Sequence, residues 1–258
     1  MARPFRKRPG RRRISPVAVP SFFTLMNLLC GFIAITHIID GRYMSACWLI
    51  MLAGFFDVID GFMARLTNGN SQFGVELDSL SDIVSFGVAP GLLIYQMALE
   101  PWGMLGLIVG SMPAICGAVR LARYNTEFSG DKAPYFFGLP VPAQAGGLVV
   151  MVMNQSVVTT IDAWLPGRIP VLLPWVLLLS FLMVSRIRFH GVPPLTPRAF
   201  RTRPLRPSLF LLSLLLILTL QEVGLFVSFV GYLVMELGEA LIRFIQAVRN
   251  PEQDLQTS

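Results

Sequence analysis

Charge is what this chain of 258 residues has least of: 14% of its side chains are charged, against roughly 25% in an ordinary soluble domain. Hydrophobic residues make up 54% of it, and the mean hydropathy is +0.63. That balance excludes a typical soluble globular fold and predicts a polytopic membrane protein. Cysteine is scarce too. Cys30, Cys47 and Cys116 all fall within apolar runs, show no metal-ligand spacing and leave one over after pairing. They read as reduced, buried thiols acting as small hydrophobes. The two histidines, His37 and His190, sit near span ends with no partner evident in the sequence, and neither is given a catalytic role. A cleavable leader is also missing: the basic start "MARPFRKRPGRRR" runs into an apolar stretch that continues past Gly31 without a small-residue cleavage site. The first apolar run is therefore expected to stay as an anchor.

What is there is a series of apolar runs. A bilayer core of ~30 Å takes about 20 helical residues to cross. The runs predict an all-α transmembrane bundle with helices at about 19–39, 43–66, 74–98, 103–123, 138–158, 169–186, 207–220 and 223–246, eight spans of which the seventh is short. The organisation expected is a basic cytoplasmic tail at 1–18, a catalytic membrane core at 19–186, a basic cytoplasmic loop at 187–206, a transmembrane hairpin at 207–247 and a tail at 248–258. An even number of spans puts both termini on one side, and the basic residues choose which. With the N-terminus in the cytoplasm, 19 of the 21 lysines and arginines face inside, leaving only Arg42 and Arg168 outside. The basic pI of about 9.7 then reflects attraction to anionic lipid headgroups, and nucleic acid is not expected as a partner.

Against this background "DVIDGFMARLTNGNSQFGVELDSLSD", residues 57–82, carries four aspartates. Residues three and four apart share a helix face. Asp57, Asp60, Gly61 and Ala64 fall on one side of the second span, with Arg65 at its edge. Asp78, Ser81, Asp82 and Ser85 line up with Gly74 on the third. The intervening "LTNGNSQF" has turn residues, so the two stripes are predicted to face each other. Four carboxylates gathered there repel one another and lose solvation, so something cationic must compensate. Arg65 supplies a single charge. Oxygen-only ligands at this density suit hard divalent cations, Mg²⁺ or Mn²⁺ and two in number, and no Cys or His joins in to suggest zinc. Gly61, Ala64 and Gly74 remove bulk where a phosphate-bearing ligand would approach. A set of interhelical polar contacts, or the pathway of a divalent-cation transporter, is the competing reading. Against the transporter, the acids gather at one end of two spans and no internal repeat is evident.

The pattern D-x2-D-G-x2-A-R-x8-G-x3-D-x3-D, from Asp57 to Asp82, resembles without a departure the signature of the CDP-alcohol phosphotransferase family. The resemblance implies an integral membrane enzyme that transfers a phosphatidyl or phosphoalcohol group from a CDP-linked donor to an alcohol and releases CMP. It further implies that Asp57, Asp60, Asp78 and Asp82 hold two divalent cations, and that Asp82 also serves as general base. Gly61, Ala64 and Arg65 would line the nucleotide–phosphate site, and a homodimer is expected.

The signature does not select the acceptor, so the flanks must. "PSFFTLMNLLCGFIAI" carries Ser21, Thr24, Asn27 and Gly31 at helical spacing. This stripe reads either as helix packing or as a nucleotide contact through Asn27. "GAVRLARYN" places Arg120 and Arg123 on one face at the cytoplasmic boundary. They serve either as lipid-facing anchors or, since arginine forks fit carboxylates, as a site for an amino-acid acceptor. With "ELDSLSDIVSFGVAP" and "FFGLPVPA", these stretches resemble the membrane-type phosphatidylserine synthases of that family over residues 20–145. The implied substrates are CDP-diacylglycerol and L-serine, and the implied setting is a bacterial or archaeal cytoplasmic membrane with the active site facing the cytoplasm. The alternative within the family is a phosphorylated acceptor, as in phosphatidylglycerophosphate or phosphatidylinositol-phosphate synthases.

Overall fold

The computed structural model describes residues 18–67, 71–127, 135–164, 170–191 and 205–249. The basic N-terminal tail, the turn at 68–70, Lys132, Arg168, most of the basic loop and the last nine residues lie outside them. The described chain is helical apart from short turns and one small ribbon. Among the described residues, four helices are long and apolar enough to cross a membrane, and a fifth crossing is counted if one bent pair is taken as a single span.

Helix α1 (Ala18–Ile39) and helix α2 (Tyr43–Thr67) form the first hairpin. Gly41 turns the chain with φ +73°, a conformation open to a residue without Cβ, and its amide donates to the Ile38 carbonyl at 3.0 Å. The seam between the two helices is made of small residues. Ala34, Ala46, Cys47 and Ala53 are fully buried, which lets the backbones come close where lipid offers no hydrophobic drive between helices. All three cysteines are free thiols, Cys30 and Cys47 buried and Cys116 half-buried.

Helix α3 (Gln72–Asp82) starts on Ser71, whose hydroxyl accepts from the Gly74 amide at 3.0 Å. The helix continues without a break through a π-helical turn at Ile83–Val88, then α4 (Ala89–Ile94), a second π turn at Tyr95–Leu99 and a 3₁₀ turn at Glu100–Trp102. The chain reverses at Gly103 into α5 (Gly103–Glu127). The return is tight. A Cβ on Gly87 would stand 3.0 Å from the Ala114 Cα, and one on Gly91 would strike the Gly110 carbonyl.

Strand β1 (Tyr135–Phe137) pairs antiparallel with β2 (Arg188–His190), Phe136 opposite Phe189, which closes the loops at one end of the bundle. Between them lie α6 (Val141–Met153), α7 (Gln155–Trp164) and α8 (Leu172–Val184). The sequence predicts one helix over 138–158, but the structure breaks at Asn154 and α7 departs at 77°. The reason is chemical: an asparagine side chain competes for backbone partners. The Asn154 amide donates to the Val150 carbonyl at 2.9 Å and to the Glu222 carbonyl at 3.0 Å.

Helix α9 (Leu205–Arg249) is interrupted at Gln221, whose φ of +46° reverses the chain. Its two halves then lie side by side, with the Ser228 hydroxyl on the Ser213 carbonyl at 3.4 Å. The Glu222 carbonyl that this turn frees is the one Asn154 reaches.

Candidate active site

The site is built where α1, α2 and α3 meet. Two serines of the α3 stripe dock it onto α1 through main-chain carbonyls: Ser81 Oγ donates to Thr24 O and Ser85 Oγ to Asn27 O, both at 3.0 Å and both buried. Gly31 completes the docking, since a Cβ there would stand 2.8 Å from the Ser85 Cα. Gly31 and the main-chain carbonyls of Thr24 and Asn27 therefore form a packing surface.

That docking fixes where the acids go. Asp57 and Asp60 on α2 and Asp78 on α3 each bring a carboxylate oxygen within 4.8 Å of the others. Asp60 Oδ2 and Asp78 Oδ1 are buried and accept no hydrogen bond from the protein. Buried carboxylate oxygens without donors are costly, and a hard cation is the partner that suits an all-oxygen set. The donor set therefore fits a divalent ion. Asp82 lies one turn deeper. It is buried, and its Oδ1 accepts from Asn27 Nδ2 at 3.2 Å.

Beside the acids is an open cleft lined by Ser21, Thr24, Gly61, Ala64, Gly74 and two of the carboxylates, Asp60 and Asp78. The space a Cβ on Gly61 would take is clear until the Arg65 guanidinium, whose Nη1 stands 3.7 Å away. Arg65, exposed at the end of the stripe, therefore folds back over Gly61 toward this cleft. Asn27 is fully buried and is not among the lining residues; it sits against Asp82.

The two arginines of α5 part company. The Nε of Arg120 is buried with no partner. Arg123 donates from Nη1 to the Val184 carbonyl at 3.2 Å, where it caps the C-terminus of α8. Asn125 ties α5 to α3 through Ser79 Oγ at 3.1 Å.

Two features escaped the sequence reading. Gln144 on α6 is fully buried, and neither end of its amide finds a partner. Its position one turn into an apolar helix is the signal that was available. The second is a correction: His190 does have partners. Its Nδ1 lies 3.1 Å from Glu236 Oε2 and 3.1 Å from Arg206 Nη2, and Arg206 also pairs with Glu239 at 2.6 Å. The partners come from α9, 16 and 46 residues away, distances no local spacing rule spans.

Comparison with known proteins agrees with this geometry. Residues 17–183 match the family described as CDP-alcohol phosphatidyltransferase. The chain is 35% identical over 170 residues to the CDP-diacylglycerol–serine O-phosphatidyltransferase of Helicobacter pylori, covering 66% of this chain and 70% of that one. It is 36% identical over 172 residues to the enzyme of the same name from Bacillus subtilis, covering 66% and 89%. It is 40% identical over 131 residues to the archaetidylserine synthase of Methanothermobacter thermautotrophicus, covering 50% and 55%. An aspartate-lined cleft among apolar helices and a match spanning well over half the sequence lead to one conclusion: the chain belongs to the CDP-alcohol phosphatidyltransferase family.

Proposed function

We infer that this chain is a CDP-diacylglycerol–serine O-phosphatidyltransferase. It transfers the phosphatidyl group of CDP-diacylglycerol to the hydroxyl of L-serine and releases CMP. The observation that carries the reading is the convergence of Asp57, Asp60 and Asp78 on one another, with Asp60 and Asp78 opening onto a cleft floored by small residues, in a chain related over two thirds of its length to enzymes of that name.

In this reading Asp57, Asp60, Asp78 and Asp82 hold two divalent cations, Mg²⁺ or Mn²⁺, which supply charge neutralisation for the phosphoryl oxygens when bound. Gly61, Ala64 and Gly74 leave room for the diphosphate, and Arg65 at the rim adds a charge-assisted donor to it. Arg120 holds the serine carboxylate, while Arg123 is engaged with the end of α8. Asp82 takes the proton of the serine hydroxyl as its oxygen bonds to the phosphorus that bears diacylglycerol. The bond from that phosphorus to the bridging oxygen breaks, and CMP carries away the electron pair. The protein's part is positioning and electrostatics, as in other phosphoryl transfers.

The membrane arrangement belongs to the same proposal. The apolar stretch Gln72–Thr126 is 55 residues and Leu205–Gln246 is 42, each roughly twice a single crossing at 1.5 Å per residue. Each folds back on itself, at Gly103 and at Gln221. Counting both as hairpins, with α1, α2, the bent α6–α7 pair and the short α8, gives eight crossings. Both termini and the acidic site then face the cytoplasm, in agreement with the basic residues.

The test is CMP release by the purified protein from CDP-diacylglycerol with serine, glycerol 3-phosphate or inositol phosphate in turn. Release with serine is expected; release only with a phosphorylated acceptor would overturn the reading.

A further inference from the structure

The side chain of Asn27 has a job that the docking of its helix does not explain. α1 is already held to α3 by Ser81 and Ser85, which use the main-chain carbonyls of Thr24 and Asn27. The Asn27 amide is an addition, fully buried beside Asp82. A carboxylate can only accept, so the amide must turn its NH₂ to Asp82, as the 3.2 Å contact records. The carbonyl end then points away, and Asn27 Oδ1 is left buried without a donor. An acceptor stranded in this way costs roughly 1–3 kcal/mol unless a ligand satisfies it. On α5, Arg120 likewise has a buried Nε that lacks an acceptor.

These three groups have the polarity of a zwitterionic amino alcohol. Its hydroxyl needs a base, its carboxylate a cationic donor and its ammonium a neutral acceptor. A neutral carbonyl suits the ammonium here. It binds the charge without adding a further negative group to an already acidic cluster.

We propose that Asn27 is a specificity residue of the acceptor site, its Oδ1 receiving the serine ammonium while its Nδ2 holds Asp82 in place. The assignment rests on the serine-transferase reading, and it moves Asn27 from the nucleotide side of the site to the acceptor side. It gives one residue two effects, on binding through Oδ1 and on turnover through Nδ2.

The experiment compares serine with 3-hydroxypropionate, which keeps the hydroxyl and carboxylate but has no ammonium. CMP release is measured with the full-length protein in detergent. Wild type should prefer serine by roughly ten- to a hundredfold in kcat/KM, the worth of one hydrogen bond to a charged group. In Asn27→Ala that preference should shrink to within about threefold, with the KM for CDP-diacylglycerol unchanged, because the lost contact is made only by serine. Asn27→Ser is the second variant: its hydroxyl can still donate to Asp82 but cannot offer the amide carbonyl, so it should lose the preference while keeping more of kcat. A preference left intact in either variant, with kcat lowered equally for both acceptors, would overturn the proposal and leave Asn27 a positioning residue for Asp82 alone. Absence of any preference in wild type would overturn it without recourse to variants. Absence of serine-dependent CMP release altogether would instead strike the functional reading beneath it.

Discussion

Two groups of acids lie within this membrane protein, and they are satisfied in opposite ways. Glu236, on the second half of α9, is buried at 1% exposure; its Oε2 lies 3.1 Å from His190 and its Oε1, though without a hydrogen bond, stands 4.0 Å from the cationic Arg206, while Glu239 beside it pairs with Arg206. Asp57, Asp60 and Asp78 are drawn just as close together, yet buried oxygens of Asp60 and Asp78 meet no donor from the protein. The first group is closed: its compensating charge is supplied by the chain, and the result joins β2 to α9. The second is open, and its compensation has to come from outside. Burial of acid is common to both. What separates a site from a strut is whether the protein supplies the partner.

Changing one residue on each side sharpens the contrast. Asp78→Ala should give the largest effect, reducing CMP release to background, a loss of roughly a thousandfold or more on the scale of lost transition-state electrostatics. Its thermal midpoint should hold or rise, because an uncompensated acid has been removed. A variant that keeps substantial turnover would break the comparison. Arg120→Ala comes next, raising the serine KM by roughly tenfold or more, as expected for a lost hydrogen bond between charged groups, with the CDP-diacylglycerol KM unmoved. Equal changes in both constants would return Arg120 to a structural role.

On the closed side the signs reverse. Glu236→Ala should lower unfolding stability by about 2 kcal/mol, below the value for a fully buried pair because Arg206 keeps Glu239. CMP release per folded molecule should persist. A loss of turnover without loss of stability would make the α9 cluster part of the site. Arg123→Ala is the smallest change, worth about 1 kcal/mol or less for the lost contact at the end of α8. Its serine KM should move less than twofold, and a rise equal to that of Arg120→Ala would put both arginines on the acceptor.

The same contrast explains what the sequence made legible. The acid stripes are local: Asp57 and Asp60 are three apart, Asp78 and Asp82 four apart, and a short run of turn-forming residue types separates the stripes in the sequence. Helical periodicity suffices for that, and for α1 and α2, whose bounds of 18–39 and 43–67 lie within a residue of the apolar runs. The side-chain direction of Asn27 was not legible, because it depends on how closely Gly31 lets α1 approach α3. The break at Asn154 was hidden for a similar reason. It is stabilised by a carbonyl at Glu222, 68 positions away, freed by the turn at Gln221. His190 and Glu236, 46 positions apart, were invisible on the same ground. Patterns within two helical turns could be read, whereas partnerships made by tertiary approach could not.

The central claim is that the open acidic cluster works only with cations supplied from outside. The most direct measurement is serine-dependent CMP release by the wild-type protein after EDTA treatment, followed by readdition of Mg²⁺ or Mn²⁺. Release should fall to background with EDTA and return with the ion. Undiminished release in EDTA would contradict that claim.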